Sequence, residues 1–297
     1  MLVEMAVADA YAIAWEFTDQ QKAENDLTGF HQHPTYAELK AGQYTDDTQR
    51  SIANAQVLLG PPENRFNPLI YAQAYLEQVR MDPREGYSRG YQAFLKSVNH
   101  PLDFLVQIER TKTSNGSLMG VAPMGFLPDL REVKLAAMIQ AITTHHPDTV
   151  IHAQLVAMAV HYFTHCQGDQ DGLIQWLLTN AAFANTSQAD SWLRDVEGFK
   201  HGGRTGIKAS SISAWMAWAV SEFTSLKEII YWSVEAGGDT DSAAAVAVAV
   251  ASCAPDDEIE KDIPENLKVA LDAANPGFGV EYLNTIEHKL RLMYKIG

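Results

Sequence analysis

Two acidic motifs almost two hundred residues apart carry the strongest chemical signal in this chain. Thr45-Asp46-Asp47-Thr48 follows Gly42-Gln43-Tyr44, and Asp239-Thr240-Asp241-Ser242 follows Gly237-Gly238. Each stands just ahead of an apolar segment with helical spacing, so each sets two carboxylates and a hydroxyl at the start of a helix. If the two starts meet, Asp46, Asp47, Asp239 and Asp241 crowd one cleft with the hydroxyls of Thr45 and Ser242. Divalent cations relieve that repulsion most simply. An all-oxygen ligand set suits Mg²⁺ or Mn²⁺, Ca²⁺ less well, and zinc or copper not at all. Asp, Ser and Thr are also ordinary N-caps, favoured by the helix dipole. Capping uses one oxygen, however, and asks neither for a second carboxylate nor for the bare backbone of Gly237-Gly238.

Other chemistry-bearing residues lie around these motifs. Asp9 and Glu16 interrupt an apolar stretch, Met1 to Phe17, and stand about two helical turns apart, near one face. From Thr18 to Tyr44 the chain is polar and marked by Gly29, Pro34 and Gly42, with the length of a lid or binding loop. Thr113-Ser114-Asn115-Gly116-Ser117-Leu118-Met119-Gly120 is small, uncharged and rich in hydrogen-bonding groups, suited to a phosphate or ribose. His145 and His146 precede Pro147 at what reads as the start of a helix over 148–165, where a histidine can pack on a base or bond a phosphate. His161 and His165 have metal-type spacing but no flanking Glu and no third ligand, so they read as helix-surface or core residues. Gly202 to Gly206 is a flexible loop without a P-loop lysine. No Gly-x-Ser-x-Gly elbow or catalytic cysteine context is present, which favours metal-assisted hydrolysis over acyl transfer.

The elements that must position these groups are helical. Apolar periodicity predicts helices over 67–80, 84–97, 101–110, 129–142, 148–165, 171–184, 187–196, 206–223, 225–235, 241–253, 264–274 and 282–295, and a first one over 1–17. Convincing strands and a repeat period are missing. At 297 residues, 46% hydrophobic and without a linker-like stretch, residues 1–297 read as a single all-α domain. A net charge of −15 disfavours nucleic acid and anionic membrane as partners. The longest uncharged apolar run, Ser242 to Ala254, falls short of the roughly 20 residues a bilayer requires. Two distant cysteines and an amino terminus unlike a signal peptide point to a reducing, cytoplasmic setting.

The order Asp9…Glu16, Gly42-x-x-Thr45-Asp46-Asp47-Thr48, Asn115-Gly116-Ser117-x-Met119, Thr144-His145 and Gly237-Gly238-Asp239-Thr240-Asp241-Ser242 resembles the ADP-ribosylglycohydrolase family, of the dinitrogenase-reductase-activating type. The resemblance implies a compact multi-helix orthogonal bundle with a binuclear Mg²⁺ or Mn²⁺ centre. It implies hydrolysis of the bond joining ADP-ribose to a protein side chain, such as arginine, or to a small molecule. By resemblance, Thr45, Asp46, Asp47, Asp239, Asp241 and Ser242 are metal ligands, and Glu16, Asp46 and Asp47 are catalytic. Asn115, Gly116, Ser117, Met119 and His145 would line the ADP-ribose pocket. Three positions depart from the family pattern: Ala8 and Ala12 replace glycines, and Gly120 replaces the arginine that usually follows the methionine. These departures support a second reading, a non-catalytic module that binds ADP-ribosylated proteins or an ADP-ribosyltransferase. A third is a phosphoesterase cutting the pyrophosphate.

Overall fold

The computed structural model describes residues 1–18 and 24–297; of the Thr18 to Tyr44 segment, 19–23 lie outside the described residues. Helices α1 (Leu2–Ala12), α2 (Asp46–Leu59), α3 (Pro68–Met81), α4 (Arg89–Ser97), α5 (Pro101–Gln107), α6 (Leu130–Thr144) and α7 (Val150–His165) make up the first half. The second half contributes α8 (Leu173–Asn180), α9 (Thr186–Lys200), α10 (Ala209–Glu222), α11 (Leu226–Ala236), α12 (Thr240–Ala251), α13 (Glu265–Ala274) and α14 (Val280–Tyr294). No strand forms among the described residues; two isolated bridges, Ser114 to Lys208 and Ser225 to Glu260, tie loops together. No described helix is long and apolar enough to cross a membrane.

The centre of the molecule is α12, in which every residue is buried. Its alanine-rich sequence favours helix, and its small side chains let neighbours approach closely. α1 lies along it, while α2, α7, α10 and α11 also pack against it. Ala8 and Ala12 of α1 are fully buried, as are Ala6 and Ala10, so alanine is accommodated at both positions where glycine was the expected residue.

Several boundaries differ from the expected ones for local reasons. α1 stops at Ala12, and a single 3-10 turn, Ile13–Trp15, carries the chain to Glu16. Phe17 then adopts a positive φ of 48°, rare for a bulky residue, and its N–H donates to Gly238 O at 2.9 Å. The helix expected over 84–97 begins only at Arg89, because Pro83 and a left-handed Gly86 (φ 113°) break the pattern. The helix expected over 171–184 runs only from Leu173 to Asn180. His145 is not at the start of α7: it caps the end of α6, its N–H bonded to Ala141 O at 2.9 Å.

The Gly237-Gly238 turn between α11 and α12 has φ of 67° and 90°. A Cβ on Gly238 would sit 1.9 Å from Thr205 O, so the Gly202 to Gly206 loop lies directly on this turn. Thr205 Oγ1 donates to Gly237 O at 2.5 Å. Gly238→Ala should therefore lower stability by roughly 2–3 kcal/mol, from strain and a backbone clash together. Gly198, on the exposed side of α9 with nothing near its missing Cβ, should tolerate alanine or gain slightly. Thermal unfolding of the two variants checks this; equal midpoints would contradict the packing of the turn.

Candidate metal centre

Asp9 is fully buried on α1 and is surrounded by hydrogen-bond donors from the start of α2. Thr45 donates to it through N (3.0 Å) and Oγ1 (2.8 Å), and Thr48 through N (3.1 Å) and Oγ1 (2.7 Å). A helix start normally borrows an oxygen from its own N-cap. Here the N-cap Thr45 makes no such bond, and a carboxylate from another helix takes over that role. Neither Asp46 nor Asp47 is then needed as a cap: Asp46 Oδ1 lies beside Gly86, and Asp47 is left to meet the second motif.

The start of α12 is held in a similar way. Thr240 Oγ1 donates to Ala12 O, at the end of α1, at 2.7 Å. Asp239, the N-cap of α12, makes no capping bond and instead accepts from Asn115 Nδ2 at 3.2 Å. Ser242 Oγ donates to Asp47 Oδ2 at 3.2 Å, so the two acidic motifs touch. Glu16, Asp239 and Asp241 can each present a carboxylate oxygen within 4.8 Å of the other two.

Burial and like charge act together on this cluster. Burial first, then Asp239 and Asp46, push Glu16 up to about 8. Burial and Asp9 push Asp46 up to about 7. Asp47 and Asp241 are raised well above the usual carboxylate range, by burial and then by neighbouring acids. Among the described residues no lysine or arginine forms an ion pair with any of them. Asp47 Oδ1 and Asp241 Oδ1 are buried without any hydrogen-bond partner. Orphaned oxygens of this kind, in an all-oxygen set, fit hard divalent cations.

Each expected site residue has a definite place. Thr45, Asp46 and Asp47 open α2, and Asp239, Asp241 and Ser242 open α12. Thr45 Oγ1 has committed its hydrogen to Asp9. Glu16, expected to be catalytic, is also grouped with Asp239 and Asp241 as a possible cation ligand. In the central loop, Asn115 reaches Asp239, Gly116 lies over His145, and Met119 and Ser117 are buried, with Ser117 Oγ turned to Ser114 O at 3.1 Å. His161 and His165 are each tied to a carbonyl, of Leu127 and Phe126 respectively.

Sequence reasoning missed three contributors. Asp9 reads from the sequence only as an acid in an apolar helix, whereas the structure makes it the cap of α2. Tyr36, 40% exposed, has its hydroxyl against the Glu16 carboxylate. Its ring stacks on His33 at 3.9 Å, and His33 Nε2 lies 3.0 Å from Glu16 O. Arg50, inside α2, meets Gly120: a Cβ on that glycine would come within 2.7 Å of Arg50 Cβ. A side chain at position 120 has no room in this chain, which gives the Gly120 departure a packing reason.

The raised carboxyls dictate a pH dependence. Free carboxyls in the unfolded chain titrate near pH 4, whereas Asp46 and Glu16 hold protons in the folded chain up to about 7 and about 8. Without divalent cations the folded state binds more protons across that window, so stability falls as pH rises through it. Saturating Mg²⁺ should offset the fall, because binding requires ionised ligands. Thermal unfolding across the window, in EDTA and in Mg²⁺, checks this; parallel curves would contradict it.

A family model described as ADP-ribosylglycohydrolase matches residues 1–284. Among solved structures, the chain is similar to one titled "ADP-ribosylglycohydrolase-related protein complex", at 21% identity and a TM-score of 0.72. That match covers 99% of this chain and 96% of the other and establishes a shared fold. The chain belongs to the ADP-ribosylglycohydrolase family.

Proposed function

We propose that the chain hydrolyses the N- or O-glycosidic bond between ADP-ribose and an acceptor, a protein side chain such as arginine, and so reverses ADP-ribosylation. The observation that supports this most is that the two distant acidic motifs meet at the Ser242 to Asp47 bond, with Asp239 and Asp241 of the second grouped with Glu16. Thr45, Asp46, Asp47, Asp239, Asp241 and Ser242 would hold two divalent cations, Mg²⁺ or Mn²⁺, which when bound supply the charge that acidifies a water and orients ribose hydroxyls.

In this reading Glu16, with Asp46 and Asp47 beside it, takes the proton of the attacking water. Glu16 is half-buried beside Asp239 and Asp241, within reach of a water held at the site. Cleavage passes through an oxocarbenium-like state, whose positive charge the surrounding carboxylates stabilise. Asn115 holds Asp239 in place through its side-chain amide. The Asn115 to Met119 loop and His145 line the ADP-ribose pocket. The three departures leave this machinery whole: Ala8 and Ala12 are absorbed in helix packing, and Gly120 makes room for Arg50.

The deciding experiment is release of free ADP-ribose from arginine-linked and serine-linked substrates in Mg²⁺ or Mn²⁺, with EDTA as control. Cation-dependent release is expected. AMP and ribose phosphate as products would show pyrophosphate cleavage instead, and stoichiometric retention without release would show a binding module. Asp47→Asn and Asp241→Asn should each cut turnover at least about a thousandfold while leaving the helical content intact. In EDTA both variants should melt at or above the wild-type temperature, because the amide is neutral without having to take up a proton on burial. Full activity in either variant would contradict the assignment.

A further inference from the structure

Glu16 stands where its own stretch of chain does little to keep it. It follows the 3-10 turn Ile13–Trp15, and its carboxyl is grouped with those of Asp239 and Asp241, groups of like charge. The peptide that joins it to Phe17 is nevertheless pinned on both sides. Phe17 N–H donates to Gly238 O at 2.9 Å, on the turn that leads into the second acidic motif. The other side of the same peptide, Glu16 O, lies 3.0 Å from His33 Nε2. Between these contacts Phe17 holds its φ of 48°, which a bulky residue keeps only where its surroundings impose it.

The hydrogen bonds of the buried His33 ring settle which nitrogen carries the proton. Thr35 N and Tyr36 N each lie 3.1 Å from Nδ1, and an amide N–H requires a lone pair there. A ring that accepts at Nδ1 is neutral and carries its proton on Nε2, which therefore donates to Glu16 O. The same turn delivers Tyr36. Its ring stacks on His33 with the planes 13° apart, and its hydroxyl is bonded to the Glu16 carboxyl. Gln32 Nε2 donates to Tyr36 O at 3.2 Å and closes the turn behind it. One residue of this turn thus holds the main chain of Glu16, and another holds its side chain.

We propose that His33 is a positioning residue for Glu16: as an Nε2–H donor it fixes the Glu16–Phe17 peptide, and it seats Tyr36, whose hydroxyl holds the Glu16 carboxyl beside Asp239 and Asp241. The catalytic consequence rests on the glycohydrolase reading, in which Glu16 takes the proton of the attacking water; the clamp itself does not. Neither His33 nor Tyr36 takes that proton. They set where Glu16 stands, against the like charge of its neighbours.

The test uses the full chain with ¹⁵N-labelled histidine, the His33 signals being those lost in His33→Gln. Long-range ¹H–¹⁵N correlation at neutral pH should show protonated Nε2 and unprotonated Nδ1. His33→Leu removes both sets of contacts and should speed hydrogen exchange of the Phe17 amide about tenfold, with no metal or substrate present. His33→Gln, whose amide still donates to Glu16 O, should keep most of the protection. In turnover with Mg²⁺, Tyr36→Phe keeps the stacked ring and loses the hydroxyl; it should lower kcat about tenfold and leave KM unchanged. His33→Leu should lower kcat likewise, and His33→Gln should recover most of that loss. A wild-type ring protonated at Nδ1, unchanged Phe17 exchange in His33→Leu, or wild-type kcat in Tyr36→Phe would overturn the proposal. The expected tautomer and exchange, in a wild-type chain that turns over neither arginine- nor serine-linked substrate, would support the clamp and overturn its catalytic consequence together with the proposed function.

Discussion

Three parts of the candidate site hang on one short helix. Asp9, in the last turn of α1, accepts the hydrogen bonds that the start of α2 would otherwise direct to its own cap. Ala12 O, at the end of the same helix, takes the hydroxyl hydrogen of Thr240 and so holds the start of α12. Glu16 follows one turn later. A buried carboxylate that accepts four donors is satisfied only in one arrangement of those donors. That requirement fixes the first motif on α1, and the Thr240 bond to Ala12 O sets the second beside it. The packing of α1 along α12 then holds the two starts together.

The cost of this arrangement is electrostatic. Glu16, Asp46, Asp47, Asp239 and Asp241 lie near one another with burial pushing each of them toward its neutral form. The framework that tolerates such a cluster is rigid: α12 has no exposed residue, and the Gly237-Gly238 turn is clamped by Thr205. Ahead of the first motif, the Arg84 guanidinium stacks on Tyr44, 3.7 Å from its ring centre, and the Tyr44 hydroxyl donates to Asp82. This pins the residue just before Thr45. The loop that carries Tyr36 closes over Glu16 through His33, while Asn25 ties its other part to α11 by a bond to Tyr231 O.

Helix positions were largely legible in the sequence, because apolar periodicity survives burial: 206–223 became Ala209–Glu222 and 264–274 became Glu265–Ala274. Ends were less so, since they depend on glycine and proline geometry, as at Pro83 and Gly86, or on a tertiary bond, as at Phe17. The two acidic motifs stood out because paired carboxylates exceed what a cap needs. The work of Asp9 did not, because an acid in an apolar helix says that donors must be near without saying whose. Tyr36 and Arg50 were invisible for the same reason. A tyrosine in a polar loop and an arginine in a helix acquire meaning only from the groups the fold sets against them, Glu16 in one case and Thr144 with His145 in the other.

In the proposed function the buried carboxylates form one proton-loaded site that ionises when divalent cations enter. The most direct measurement is calorimetric titration of Mn²⁺ near neutral pH in buffers of different ionisation enthalpy, which counts the protons displaced. Net proton release on binding is expected, and its loss in Asp241→Asn with weakened affinity. Tight binding without proton release, or no binding at all, would contradict it.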